Sequence, residues 1–266
     1  MGKWSFETLK KDKYERTGLE KFNKQGSLMK IIEYKNTQNL IVEFQDKYKY
    51  KKKTTWEKFQ NGGIKNKYFP TVQNVGITGE LDEGECKDKP YRLWVGMLDR
   101  CYNEQYHKKH NTYIGCSVCD EWLYYPNFKK WIISQKNYSL MKANPNEWNL
   151  DKDILIKNNK IYSPDTCCIV PKSINLLFVN NEAKRGEYPV GVCMTRDGIV
   201  ASINNPYIPQ KTIRLGTFKN VADAFKKYKE TKEMYIKQVA NDAYKNGDID
   251  KRCYEAMMNY VVEIND

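Results

Sequence analysis

Two hydrophobic periodicities divide the chain. From Leu28 onward the runs LMKIIEY and NLIVEF alternate apolar with polar residues, and Asn36-Thr37-Gln38-Asn39 between them supplies turn residues, which predicts a β-hairpin. A third strand is predicted near Lys49–Trp56, where Lys alternates with Tyr, and Asn61-Gly62-Gly63 closes the unit. Residues 27–80 therefore predict a small, half-open β-barrel of the SH3 kind. Residues 1–26 are polar with weak apolar spacing and predict a helix or a loose arm. Residues 70–90, punctuated by Pro70, Gly76, Gly79, Gly84 and Pro90, read as a linker.

Helical spacing appears next. Over Tyr91–Cys101 it places Trp94, Met97, Leu98 and Cys101 on one face, and Pro126 opens a second helix with Phe128, Trp131 and Ile132 inward. The stretch Leu150–Phe178 then predicts a short strand, a turn, a second strand stopped by Pro171, and a helix carrying Ile174, Asn175, Leu177 and Phe178. Oxygen ligands stand at both ends, Asp151 and Asp153 on one side and Asn175 on the other, which is the layout of a ββα unit that pinches a divalent cation. Beyond Tyr188 the text reads as three strands, YPVGVCMTR, DGIVASINN and KTIRLGTF, with Asp197-Gly198 as a hairpin turn. Ile199, Ala201 and Ile203 point to one sheet face, against a helix from about Asn220 that buries Val221, Ala224, Phe225 and Tyr228; Val200, Ser202 and Asn204 point to the other face. Ile249–Tyr260 predicts a closing helix. The fold class is α+β throughout.

Composition changes the picture in one direction. The 266 residues carry a net charge of +12 and 13% aromatics, and basic residues with many aromatics point to nucleic acid. An AT-rich genome that inflates Lys, Asn, Ile and Tyr would give the same composition without function. No apolar run is long enough to span a bilayer and the N-terminus lacks a signal peptide's apolar core, so no membrane partner and an intracellular protein are expected. In a reducing compartment the eight cysteines are free thiols or metal ligands. Cys116-x-x-Cys119 is one half of a candidate structural zinc site; Cys101, His107, His110, Cys167 or Cys168 would supply the rest. The alternative is cysteines packed as small apolar residues.

Four ordered blocks then carry a resemblance: Trp94/Met97/Arg100/Cys101, Val118/Cys119/Glu121/Trp122, Leu150–Asp153 and Tyr162–Cys167. With the flanking regions, most of the chain resembles a bacteriophage family of HNH-type, homing-endonuclease-like proteins, the HNH-like domain falling at residues 91–182. The resemblance implies a ββα-metal core that binds magnesium or manganese through Asp151 and Asn175, with Asp153 nearby and Asn158 or Asn159 orienting the loop. At the position after the strand aspartate, where active relatives carry His as general base, this chain has Lys152. Substitutes for that base are Tyr162, His107 and His110. Residues 187–266 resemble the Apetala-type (ethylene-response-factor-like) DNA-binding domain, through Gly191-Val192, Ala201-x-Ile203, Leu215-Gly216-x-Phe218 and Ala222-x-x-Phe225. That resemblance implies a sheet laid in the major groove, reading DNA through Thr195, Arg196, Ser202, Asn204, Lys211, Thr212 and Arg214.

Together these imply a double-stranded DNA-binding protein of a phage or mobile element, acting in the bacterial cytoplasm as a site-directed endonuclease or nickase. The competing expectation is a non-cleaving DNA-binding regulator or anti-defence protein on the same scaffold. RNA binding by the N-terminal module is a third. A homodimer and a host-protein partner both stay open.

Overall fold

The computed structural model describes residues 16–179, 187–208 and 211–264, and its class is α+β. Contacts divide the chain into two compact units, one running through Glu85 together with Leu123–Pro126, the other comprising Cys86–Trp122 and the chain from Asn127.

The first unit is an antiparallel sheet in the order β1 (Glu20–Phe22), β2 (Leu28–Asn36), β3 (Asn39–Phe44), β4 (Lys51–Thr54). The β2–β3 hairpin turns at Thr37-Gln38, as the alternation predicts, and buries Met29, Ile31, Leu40, Val42 and Phe44. Helix α1 (Trp56–Gln60) adds Phe59 to that core, with Thr55 accepting from the Lys58 N–H as its cap. Glu20–Phe22 is a strand rather than part of a helix, because it pairs with Leu28–Lys30; the rest of the expected arm, residues 1–15, lies outside the described residues. The buried Asn23 fixes this turn. Its Oδ1 accepts from the N–H groups of Gln25 (3.0 Å) and Ser27 (2.8 Å), and its Nδ2 donates to the Ile64 carbonyl (2.8 Å).

In the second unit, α2 (Lys89–Tyr102) starts with Pro in its first turn and buries Trp94, Met97, Leu98 and Cys101. The Trp94 indole N–H donates to the Trp122 carbonyl at 2.7 Å, and the Trp122 ring packs against Phe128 and Trp131 of α4 (Tyr125–Ser134) at 5.0 and 4.6 Å between centroids. Between them lie α3 (Glu104–Lys109) and the two-residue strand β5 (Ser117–Val118). After α5 (Tyr138–Ala143), β6 (Trp148–Asp151) pairs antiparallel with β8 (Cys168–Pro171), and α6 (Lys172–Asn175) follows at once. Inside the connection, β7 (Ile161–Tyr162) turns away to pair in parallel with β5. The strand–strand–helix order read from the sequence is therefore present, with a shorter regular helix than expected; hydrogen-bonded turns carry it on to Phe178.

The chain then forms the sheet β11 (Thr212–Phe218)–β10 (Gly198–Asn204)–β9 (Val192–Thr195), the long helix α7 (Val221–Asn246) and α8 (Lys251–Met258). Asn220 caps α7, accepting from the Asp223 N–H at 2.8 Å, and Gly247 in the left-handed region (φ 77) ends it. Gly191 (φ 76) is a position only glycine can hold, since a Cβ there would lie 2.0 Å from the Tyr228 ring.

Described residues from the stretches expected as the ββα domain and as the C-terminal domain share one hydrophobic core. The N-terminal half of α7 covers the three-stranded sheet with Ala224, Phe225 and Tyr228, while its C-terminal half covers the ββα unit. There Ile236, Ala240 and Ala243, with Cys253 and Met257 of α8, join one core with Ile154, Cys168, Val170 and Ile174. Helical spacing showed that α7 has an apolar face, but could not show that the face changes partner halfway along. The buried Asn137 ties the same region together, its Nδ2 donating to the carbonyls of Ile169 (2.8 Å) and Asp248 (3.0 Å).

Candidate metal and phosphate cleft

The end of β6, the loop after it and the end of α6 meet at a cavity of 520 Å³. Asp151, Lys152, Asp153, Asn158, Asn159 and Asn175 all line it, so the structure brings together the residues that the sequence singled out. Arg100, Tyr113, Lys157 and Lys160 line it as well.

Asp151 closes strand β6 with an Asx-type turn. Its Oδ1 accepts from the backbone N–H groups of Asp153 and Ile154, both at 2.7 Å. The second carboxylate oxygen has no hydrogen-bond partner among the described residues, and neither has the Asn175 side-chain amide. Burial raises the Asp151 carboxyl above the usual carboxylate range, partly offset by the two backbone donors. A carboxylate desolvated in this way gains most from a cation. Magnesium needs few protein ligands and keeps several waters, so one carboxylate oxygen and one amide oxygen with unspent lone pairs are a chemically suitable set.

Lys152 and Asn159 have a different place from the one a reacting group would need. The Lys152 ammonium donates to both oxygens of Asp153 (2.7 and 2.8 Å) and to the Asn159 carbonyl (2.6 Å), and its side chain is 8% exposed. Asn159 staples the same loop, with its Nδ2 donating to the carbonyls of Lys152 (3.0 Å) and Ile161 (2.6 Å) and its Oδ1 accepting from the Ile161 N–H (3.1 Å). Asn158 takes the left-handed conformation (φ 61) that lets the loop turn. Both side chains are therefore spent on shaping the loop.

The substitute bases fare no better. Neither His107 nor His110 lines the cavity: the His107 Nε2–H donates to the Arg100 carbonyl (2.8 Å), and the His110 ring lies 4.5 Å from that of Tyr106. Tyr162 lines the cavity, but it is buried and accepts a hydrogen bond from Arg100 Nε (2.9 Å). Burial pushes its hydroxyl far above the ordinary tyrosine value, so it stays protonated.

Cys101, Cys116, Cys167, Cys168 and Cys253 are buried, Cys119 is half-buried, and Cys86 and Cys193 are exposed. Burial pushes the thiols of Cys101 and Cys167 up to about 12 and also raises that of Cys119. Cys116 is buried too, near enough to Cys101 to add to its shift. Among the described residues no group of three or more His, Cys, Asp or Glu is gathered to hold a metal.

Thr195, Ser202, Asn204, Thr212 and Arg214, all expected in the reading surface, share one face of the sheet. Cross-strand register pairs Gly198 with Thr195, Ser202 with Arg214 and Asn204 with Thr212, and directly opposite residues share a face. Thr195, Asn204, Thr212 and Arg214 are exposed and Ser202 is half-buried; Arg196 sits exposed in the β9–β10 turn and Lys211 exposed just before β11. A bulge between Ala201 and Ser202 shifts the register there. Several of these groups have partners in the free protein: Arg214 with Thr217 (2.8 Å) and Asp197 (3.5 Å), Thr212 with Asn204 (2.8 Å). Val200, expected outward, is 5% exposed, so this face is not wholly open.

In the first unit the Lys/Tyr strand divides by residue type. Lys51, Lys52 and Lys53 are exposed along the edge strand, whereas Tyr48 stacks on Tyr68 (4.6 Å) and Tyr50 on Phe44 (5.9 Å). Both tyrosines are half-buried, each with its ring packed on another aromatic. Among the described residues no helix is long and apolar enough to cross a membrane. No protein-family model matches the chain, and neither a curated protein nor a solved structure does.

Proposed function

We propose that the protein binds double-stranded DNA and cleaves one or both strands with a divalent metal ion held at the Asp151–Asn175 cleft. The observation that carries this reading is the convergence of those two side chains, with unspent oxygens, on a cavity also lined by Arg100, Lys157 and Lys160. A bound magnesium or manganese ion would neutralise charge on the phosphate and on the leaving oxygen. Asp151 would hold it from the end of a strand whose backbone fixes the carboxylate, and Asn175 from the adjoining helix. Lys152 and Asn159 would keep the loop between them in shape. The outer face of the β9–β11 sheet, with Arg214, Asn204 and Thr212, supports DNA reading, and the +12 charge supports binding to a polyanion.

A second reading is favoured by a specific observation: no histidine lines the cleft, Tyr162 stays protonated and Lys152 is clamped. On that reading the protein holds DNA without cutting it. Supercoiled plasmid incubated with the protein in magnesium or manganese separates the two. Relaxed or linear product, abolished by EDTA and by Asp151→Ala, supports the nuclease. Salt-sensitive duplex binding without any product leaves the non-cleaving reading.

A further inference from the structure

Three cations stand within a helical turn of residues that line the cleft. Lys89 lies one turn before Leu93 on α2, and Lys172 one turn before Asn175 on α6; Leu93 and Asn175 both border the cavity. Arg92 follows one turn after Lys89. The two helices bring these groups to the same place. Trp148 pairs with Pro171 across β6 and β8, so Lys172 stands at the same end of the hairpin as Glu147, and Lys89 feels the charges of Arg92, Glu147 and Lys172 together. Burial is the main cause that holds the Lys89 ammonium below the usual lysine value; Arg92 and Lys172 add to the lowering, and Glu147 opposes it. Arg92 and Lys172 are exposed and Lys89 is half-buried, and among the described residues none of the three side chains has a hydrogen bond or an ion pair. For stability alone this is an unfavourable arrangement. Like charges repel, and cations in the first turn of a helix oppose its dipole; the first turn of α2 holds no acidic residue, and Asp88 before it makes no capping bond.

We propose that Lys89, Arg92 and Lys172 form a basic rim that binds the phosphate backbone of duplex DNA on the nucleotides flanking the cleft. An extended polyanion suits the rim better than one small anion, because the cations come from two helices and two of the three reach open solvent. The spacing agrees. Lys172 is three residues from Asn175, about 5 Å along a helix axis. One strand of B-form DNA carries a phosphate about every 3.4 Å of its axis, so the rim falls roughly one or two phosphates from the metal ligands. Long side chains that reach phosphates fix the register of a strand and carry no sequence information. A contact of that kind is what the Asp151–Asn175 pair lacks, since two oxygen ligands hold an ion but do not hold the strand beside it. The rim deepens the proposed function and rests on it for the choice of DNA as the polyanion.

The test is lysine footprinting of the full-length wild-type chain in EDTA, which needs no variant to fold. Mass spectrometry reads the rates at which an acetyl N-hydroxysuccinimide ester modifies Lys89 and Lys172, without DNA and with a saturating short duplex. Bound phosphates cover the amines, so both rates should fall about fivefold or more and recover in high salt. Duplex that binds while either lysine reacts at its free rate overturns the rim and leaves DNA binding standing. Protection that polyglutamate of equal total charge reproduces overturns the assignment to DNA. Arg92 is read through salt dependence. Changing Lys89, Arg92 and Lys172 together to Gln should lower the slope of log affinity against log salt by about 2.7, from three phosphates at about 0.9 each. An unchanged slope in that variant, folded, overturns the rim. Plasmid cleavage separates this result from the nuclease reading: protected lysines with uncut plasmid sink the nuclease alone, and cut plasmid with unprotected lysines sinks the rim alone. A chain that binds no duplex at all sinks both.

Discussion

Replacing Lys152 by Met removes the clamp of the β6–β7 loop while keeping most of the buried stem. The ammonium makes three contacts of 2.6–2.8 Å, two to Asp153 and one to the Asn159 carbonyl. Breaking a fully buried ion pair costs about 3–5 kcal/mol, because the remaining charge is stranded. Here the remaining charge is the Asp153 carboxylate, whose side chain is 44% exposed and regains water. The loss is then closer to that of a charge-assisted hydrogen bond, and about 2 kcal/mol is expected. With a urea slope of roughly 3 kcal/mol/M for a chain of this size, the midpoint falls by about 0.7 M. Urea unfolding followed by tryptophan fluorescence measures it, with Trp148 on β6 close to the lesion. The partner variant sharpens the reasoning. Asp153→Ala strands a lysine whose side chain is 8% exposed, so it costs more than Lys152→Met, about 3 kcal/mol. The double variant costs little more than Lys152→Met alone. An unchanged midpoint in Lys152→Met, or the reverse order of the two single variants, would refute the reasoning.

Three other outcomes follow from the same structure. Gly191→Ala drives a Cβ into the Tyr228 ring at a left-handed backbone position and should cost more than about 2 kcal/mol; thermal unfolding that stays within a degree of wild type would contradict it. For Asp151, burial raises the folded-state value above the unfolded one, so the stability linked to its proton is present below the unfolded carboxylate value and lost as pH rises through the folded one. Asp151→Asn should therefore be more stable than wild type at about pH 8 without metal, with the gap closing towards about pH 4; an asparagine variant less stable at the higher pH would count against the burial argument. Arg214→Ala should weaken duplex binding and lower the steepness of its salt dependence by about one counterion; an unchanged slope would remove Arg214 from the phosphate contacts.

How far the fold was legible depends on the range of the interaction. Strict alternation in Leu40, Val42 and Phe44 sets the burial of β3, and the spacing of Trp94, Met97, Leu98 and Cys101 sets that of α2; both are local signals. The apolar face of α7 was readable, but its change of partner from sheet to ββα core was not, since Tyr228 and Ile236 lie on one uninterrupted helical pattern. Glu20–Phe22 carries no strand periodicity of its own and is exposed throughout; pairing with β2 alone makes it a strand. At the cleft, Asp151 and Asn175 were legible from the order of carboxylate, hairpin and helix. Arg100 stood among the motif residues without a role, because its contacts with Tyr113 and Tyr162 depend on chain segments 13 and 62 residues away. Lys152 stands beside the strand aspartate in sequence, yet its ammonium is held within the loop by Asp153 and by a carbonyl seven residues on, a geometry no spacing rule reports.

The central claim is that Asp151 and Asn175 together hold one divalent ion. Electron paramagnetic resonance of manganese titrated into the protein with a short duplex tests it most directly, since bound and free ion give separate signals. One manganese per chain is expected, with binding lost in Asp151→Ala and weakened at least tenfold in Asn175→Ala, both variants remaining folded. Manganese that fails to bind, or binds equally well in both variants, would contradict the account.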